Sequence, residues 1–339
     1  MTQQVHSIAV IGGDGIGPEV TAAALEVVAA AGVDVSTEQF DLGAARYLRD
    51  GFVLDDETLE RLRRFDAIML GAIGPAIGDT RIPGGTLERG LLLRLRFGLD
   101  LFVNYRPFHG VEGSLAQDCD FAIVRENTEG PYAGEGGVLR HGTPHEVATQ
   151  GSVNTRFGVE RCVRYAFERA AKTARPKVTL VHKTNVLTYA GDLWSRVLAE
   201  VKSEYPGVEV DYNHVDAACI YLVEDPRRYS VIVTDNLFGD ILSDLAGAVS
   251  GGIGFAASGN INPARTGPSL FEPVHGAAHD IVGTNRANPL AAISSAVLML
   301  EHLGENDAAS RIAHLVRDFE GDASQLGTSG ITAHLLERL

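Results

Sequence analysis

The chain has 339 residues, 45% hydrophobic and 22% charged, enough to bury a substantial core and to form two lobes rather than one. Lys and Arg number 29 against 44 Asp and Glu, a formal net charge of −15. That balance argues against generic nucleic-acid or anionic-membrane binding, yet leaves room for a local arginine cluster that holds small anions.

The N-terminus "MTQQVHSIAVIGG" has no basic leader and too short an apolar run for a signal peptide. No stretch approaches the ~18 to 20 apolar residues of a membrane span, so a soluble, cytoplasmic protein is expected. Cys119, Cys162 and Cys219 are far apart and odd in number, and no CxxC occurs. Neither a zinc site nor a disulfide framework follows, only inert buried thiols in a reducing compartment.

"SIAVIGG" reads as a buried strand, and "PEVTAAALEVVAAAG" as a helix opened by Pro18 and stopped by Gly32. "DETLERLRRF" is an amphipathic helix, and "FDAIMLGAIG" repeats the strand-then-glycine pattern. Strands alternating with helices predict a parallel, wound sheet. In the middle, "DFAIVREN", "VTLVHKTN", "VEVDYNHVDA" and "YSVIVTDN" are strands ending in polar residues, with helices such as "RFGVERCVRYAFERAAKTA" between them. "GPYAGEGGVLRHGTPHEVATQGSVN" reads as loop plus β arm. The last third is glycine-rich and then helical ("PLAAISSAVLMLEHLG", "DAASRIAHLVRDFEG"). "GGDGIGPE" follows the first strand but is not G-x-G-x-x-G, since Pro18 takes the last glycine's place.

Four polar clusters stand at strand ends or helix starts, where open α/β sheets place ligands. In "TDNLFGDILSD", Asp240 and Asp244 are one turn apart and repel. With Leu237 at zero on a wheel of about 100° per residue, Leu237, Phe238, Ile241, Leu242 and Leu245 fill roughly 0–140°. That sector is the expected buried face, with the aspartates on its shoulder. Half-buried carboxylates need something positive between them. With Asp216 at another strand end, three carboxylates suit a hard divalent ion such as Mg²⁺ or Mn²⁺.

The second cluster is Arg94, Arg96, Arg106 and Arg125, beside the apolar Leu91, Leu92 and Leu93, suited to clamping carboxylates. Lys183, ending "VTLVHK", and Tyr132 in "EGPYAG" can serve as base and proton relay. "EPVHGAAHDIVGTNRANP", with His275, Asp280 and Asn288, reads as a structured loop able to bind a ligand.

Taken together, "GDGIGPEV", "RENTEGPYAG", "HKTNVL", "TDNLFGDILSDLAG" and "FEPVHGAAHDI" resemble the β-decarboxylating hydroxyacid dehydrogenases, the isocitrate/isopropylmalate dehydrogenase family, over nearly the whole chain. The resemblance implies two α/β domains around a large mixed sheet, not a standard Rossmann fold. Residues 1–101 and 250–339 would form a discontinuous cofactor-binding domain, and 102–249 a second domain with the dimer interface and β arm. A homodimer with shared active sites follows, each site borrowing Lys183 and Asp216 from its neighbour.

The same resemblance implies metal ligands Asp216, Asp240 and Asp244, and substrate contacts from Leu92, Leu93, Arg96, Arg106, Arg125 and Asp216. Lys183 and Tyr132 would be catalytic. His275, Gly276, Ala277, Asp280, Ile281 and Asn288 would bind the cofactor. Asp280 with Ile281, in place of the Lys-Tyr of NADP-using relatives, implies NAD. The implied reaction is NAD- and metal-dependent oxidative decarboxylation of 3-isopropylmalate to 4-methyl-2-oxopentanoate. Another 3-substituted malate, d-malate, tartrate or isocitrate stays open as substrate. Tyr105, His279 and "GDTRIPGG" depart from the family pattern. A non-catalytic regulatory subunit is the remaining alternative, and the intact Tyr132, Lys183 and aspartates count against it.

Overall fold

The computed structural model of the chain describes residues 5–319 and 323–339. The first four residues, read above as lacking a leader, and 320–322, at the end of "DAASRIAHLVRDFEG", lie outside them. The chain divides into two compact units, one of residues 1–101 and 251–339, the other of residues 102–250.

The first unit opens with β1 (His6–Gly13), β2 (Val35–Gln39) and β3 (Ala67–Ala72). Between β1 and β2 runs the Gly17–Ala30 helix, with Pro18 in its first turn, where the missing N–H costs nothing. The second unit carries β4 (Val103–His109), β5 (Asp120–Glu126), β6 (Gly136–Leu139), β7 (Val147–Gln150), β8 (Lys177–His182), β9 (Glu209–His214) and β10 (Val231–Thr234). The chain then returns to the first unit with β11 (Ala257–Ile261) and β12 (Ser269–Pro273).

Within the first unit the strand order is β2-β1-β3-β12-β11, parallel except for the β11–β12 pair. Within the second it is β4-β5-β10-β8-β9, parallel except for β4–β5. Each is therefore a mixed sheet, where the β-α-β pattern alone predicts an all-parallel one. The strands read as continuous apolar runs because helices cover them: Ala67–Ala72 is buried at every position. A core of Ile11, Leu62, Ile68, Leu70, Leu91, Leu95 and Leu99 packs one face of the first unit's sheet. Leu91, grouped above with the apolar residues beside the arginines, belongs to that core. β6 and β7 form a separate exposed two-stranded arm.

Among the described residues no helix is long and apolar enough to cross a membrane. All three cysteines are free. Burial pushes the Cys162 thiol well up, which keeps it protonated and unreactive.

Candidate active site

In the second unit β5 delivers Arg125 at its end, opposite Thr234 of β10 and Asn104 of β4. Immediately after β10, Asp235 accepts the Phe238 N–H at 2.8 Å and so caps the Asn236–Val249 helix. Burial pushes the Asp235 carboxyl up to about 6.

This helix corrects the wheel drawn from the sequence. Its buried residues are Asn236, Gly239, Leu242, Ser243, Ala246, Gly247 and Val249, whereas Leu237 is 38% and Ile241 54% exposed. The helix turns its polar and small residues inward because Arg125 and Arg106 lie beneath them. The groups between the two aspartates in this chain are guanidinium groups. Arg125 Nη1 donates to Asp240 Oδ1, and Arg106 stands 3.9 Å from Asp240 and 3.6 Å from Asp244. Tyr132 donates its hydroxyl to Asp240 Oδ2 at 2.9 Å, and its ring lies 5.2 Å from the Arg125 guanidinium carbon. Tyr132 is carried there by the "RENTEG" turn, in which Glu126 accepts the Thr128 and Glu129 N–H groups.

Two arginines against two aspartates leave this cluster formally neutral. Partial desolvation pushes Asp244 up, and Asp240 one turn away adds to it, while Arg106 opposes.

Lys183 follows β8, and its Nζ donates to Asp216 Oδ1 at 2.7 Å. Asp216 lies in the first turn of the Val215–Glu224 helix rather than at a strand end. The Lys183 hydrogen bond holds its carboxyl below the usual range. Asp216 does not gather with Asp240 and Asp244: among the described residues no three acid, His or Cys side chains of this chain come together to hold a metal.

The first unit holds the remaining residues named from the sequence. Leu92 and Leu93 end a π-helical turn, Glu88–Leu93, a wide winding common at functional sites and not legible from periodicity. Arg94 turns away to the Leu54 carbonyl and Asp56, so it leaves the arginine set. Arg96 pairs with Glu272 at 3.6 Å, a partner that sequence reasoning missed although Glu272 stands in the quoted "FEP".

His275 donates Nδ1–H to the Gly276 carbonyl at 3.0 Å, leaving Nε2 buried without a partner. Burial lowers the His275 pKa, so the ring is neutral and Nε2 is a free acceptor. Ala277 is fastened by Ile16 N–H to its carbonyl at 2.8 Å, and His279 Nε2 lies 2.8 Å from the Gly74 carbonyl. Asp280 and Ile281 sit on the short His279–Ile281 helix, with Asp280 exposed. Asn288 accepts the Leu290 N–H at 3.0 Å, which gives it a capping task at the Leu290–Leu303 helix.

The glycine motif thus has a structural purpose. Asp14 accepts N–H groups of Ala44, Ala45 and Gly74, tying loops together. Gly15, at φ +59°, lies so near the Ala277 carbonyl that a Cβ would come within 1.8 Å of its oxygen. "GGDGIGPE" is a seat for the 275–281 loop.

The family departures resolve as well. Tyr105 points away from Arg106, since neighbours on a strand face opposite sides. Its hydroxyl accepts from Arg169 at 3.0 Å and its ring packs edge-on against Tyr165. In "GDTRIPGG", Asp79 and Arg81 form an ion pair at 2.6 Å, which holds the Asp79 carboxyl near 2.

Guanidinium groups, carboxylates and a phenol converging in one α/β unit, and a buttressed loop in the other, suit an enzyme acting on a small hydroxy acid. A 3-isopropylmalate dehydrogenase of Corynebacterium glutamicum is 61% identical to the chain over 310 residues, covering 90% of both proteins. One of Mycobacterium avium is 59% identical over 92% of this chain and 93% of that protein. The crystal structure of isocitrate dehydrogenase from Methylococcus capsulatus superposes with a TM-score of 0.87 at 39% identity, covering 98% of this chain and 99% of that one. The isocitrate/isopropylmalate dehydrogenase model matches residues 7–322, and the chain belongs to that family of decarboxylating dehydrogenases.

Proposed function

We propose that the chain catalyses NAD- and divalent-metal-dependent oxidative decarboxylation of 3-isopropylmalate to 4-methyl-2-oxopentanoate, a step of leucine biosynthesis. The observation that carries this reading is the 54–61% identity to relatives named 3-isopropylmalate dehydrogenase. Leu92 and Leu93, half-buried on the segment that also presents Arg96, agree with it. They would receive the isopropyl group, while Arg96, Arg106 and Arg125 hold the carboxylates.

The donor set fits a hard cation: Asp240 and Asp244 offer oxygens one turn apart, and Asp216 is an exposed carboxylate. Asp240 and Asp244, with Asp216 of a second copy, would hold Mg²⁺ or Mn²⁺, which would supply Lewis-acid polarisation of the substrate hydroxyl. The orphan acceptor of His275 fits the exocyclic amine of an adenine, and Asp280 would accept the adenosine ribose hydroxyls. His275, Gly276, Ala277, Asp280, Ile281 and Asn288 would hold NAD, which would supply the hydride acceptor. Lys183, entering the step as the neutral amine, would take the C2 hydroxyl proton at Nζ and become the ammonium. Tyr132, whose hydroxyl already donates to Asp240, delivers a proton to the enol carbon after CO₂ departs.

Ile220, Val223, Leu237 and Ile241 are 38–54% exposed on two neighbouring helices, an apolar face on a strongly charged chain. In this reading a second copy covers it, and Lys183 with Asp216 completes the neighbour's site.

NADH formation with 3-isopropylmalate, d-malate, tartrate and isocitrate, with and without metal, tests the reading. Three buried carbons at roughly 0.8 kcal/mol each should favour 3-isopropylmalate over d-malate on the order of 50-fold in kcat/KM. Equal turnover of the two removes the aliphatic-pocket argument.

A further inference from the structure

We propose that Asn236 and Ser243, fully buried on the inner face of the Asn236–Val249 helix, are positioning residues that aim Arg125 and Arg106 at the hydroxyacid carboxylates; this rests on the clamp reading given above. Asn236, Gly239 and Ser243 recur at helical spacing and form one stripe. Asn236 Oδ1 accepts from both Nε and Nη2 of Arg125, at 3.0 and 2.8 Å, so one oxygen takes a whole edge of the guanidinium. Its Nδ2 donates to the Glu129 carbonyl at 3.0 Å, three residues before Tyr132. The amide therefore ties the arginine to the turn that carries the phenol. A Cβ at Gly239 would lie 2.5 Å from Arg125 Cγ, so the glycine lets the arginine stem pass against the helix. One turn on, Ser243 Oγ accepts from Arg106 Nη1 at 2.6 Å and donates to the Asp240 carbonyl at 2.9 Å.

Charge explains why residue 236 is an amide. Arg106, Arg125, Asp240 and Asp244 already balance. A third carboxylate would quench Arg125, whereas a neutral oxygen fixes the guanidinium plane and leaves its charge for an incoming anion. Without that oxygen, Arg125 (1% exposed) would swing its second nitrogen onto Asp240, competing with the Tyr132 hydroxyl. The same helix carries Asp240 and Asp244, so one rigid element fixes guanidinium groups and carboxylates relative to each other.

The test is calorimetric binding of 3-isopropylmalate with Mg²⁺ present, NADH binding by fluorescence, and steady-state kinetics. The proteins are the full-length parent, Asn236→Ala, Asn236→Asp, Ser243→Ala and Arg125→Lys. Asn236→Ala should weaken hydroxyacid binding and raise its KM about tenfold, with kcat changed far less and NADH binding unchanged. Asn236→Asp, which preserves shape, should melt like the parent yet bind the hydroxyacid at least tenfold more weakly, an outcome a purely structural role does not give. Ser243→Ala should show a smaller rise in KM. If Arg125→Lys loses hydroxyacid binding but Asn236→Ala stays within twofold of the parent, the positioning role is overturned alone. If neither variant changes binding, the clamp reading and the proposal fall together. Equal loss of NADH and hydroxyacid binding in Asn236→Ala also overturns it.

Discussion

In the proposed function Asp280, exposed on its short helix, is the one carboxylate that would set coenzyme choice. Two unit charges about 4 Å apart repel by roughly 4 kcal/mol at an effective dielectric of 20, and solvent screening at an exposed site cuts that to the order of 1 kcal/mol. Asp280→Lys with Ile281→Tyr should therefore move the ratio of kcat/KM values from NAD toward NADP by tenfold or more. An unchanged ratio refutes the role of Asp280. His182 offers a second test at this scale. It is fully buried between Trp194 and Phe238, neither ring nitrogen has a hydrogen-bond partner, and burial lowers its pKa to about 4. Its folded value is depressed, so its stabilising contribution is present above the unfolded value of about 6.5 and is lost as pH falls through 4. Asp235, 3.5 Å away and raised to about 6, has the opposite sign: its contribution is present below the unfolded value and is lost as pH rises through 6. His182→Leu leaves only the second effect. Urea midpoints should then rise on acidification from pH 6.5 to 4.5 in the variant, while those of the parent stay comparatively flat. Parallel curves would show that folding leaves the proton affinity of this imidazole unchanged.

At the scale of elements, the glycine turn and the loop it seats behave as one unit. Gly15→Ala demands movement of the Ala277 carbonyl, besides about 1 kcal/mol of strain at positive φ. NADH affinity, read by fluorescence titration, should fall about tenfold with hydroxyacid binding unaltered. Unchanged NADH affinity would mean that the loop is held by other contacts. The motif is visible in the sequence, and so is its failure as a dinucleotide fingerprint. Its contact with Ala277 is not, because the two positions are far apart along the chain. The Asn236–Val249 helix shows the converse. Its existence and its Asp235 cap follow from local residues, but the apolar sector on the wheel is split: Leu242 is buried with the polar stripe, while Leu237 and Ile241 lie outward. Apolar residues recurring at helical spacing mark a two-faced helix without saying which neighbour each face meets.

For the whole molecule, the proposed exchange of Lys183 and Asp216 between copies predicts complementation. Lys183→Met and Asp244→Asn homodimers should each be inactive while still binding NADH. Unfolded and refolded together in equal amounts, they should recover roughly a quarter of parental activity, since half the dimers would be mixed and each mixed dimer holds one intact site. No recovery would place both residues in the site of their own chain. The chain by itself determined whatever is local: apolar runs that become strands, caps and glycine stops, the carboxylates, arginines, lysine and phenol able to do this chemistry, and the motifs that carry the family. Tertiary structure alone decided which of those groups meet. Arg94 goes to Asp56 and Arg96 to Glu272, Asp216 pairs with Lys183, and Arg125 finds Asn236 and Asp240 more than a hundred residues away. Side-chain type and periodicity are properties of neighbours along the chain, whereas ion pairing and burial depend on distances through space, which fall off within a few ångströms and exist only once the sheet has brought distant segments together.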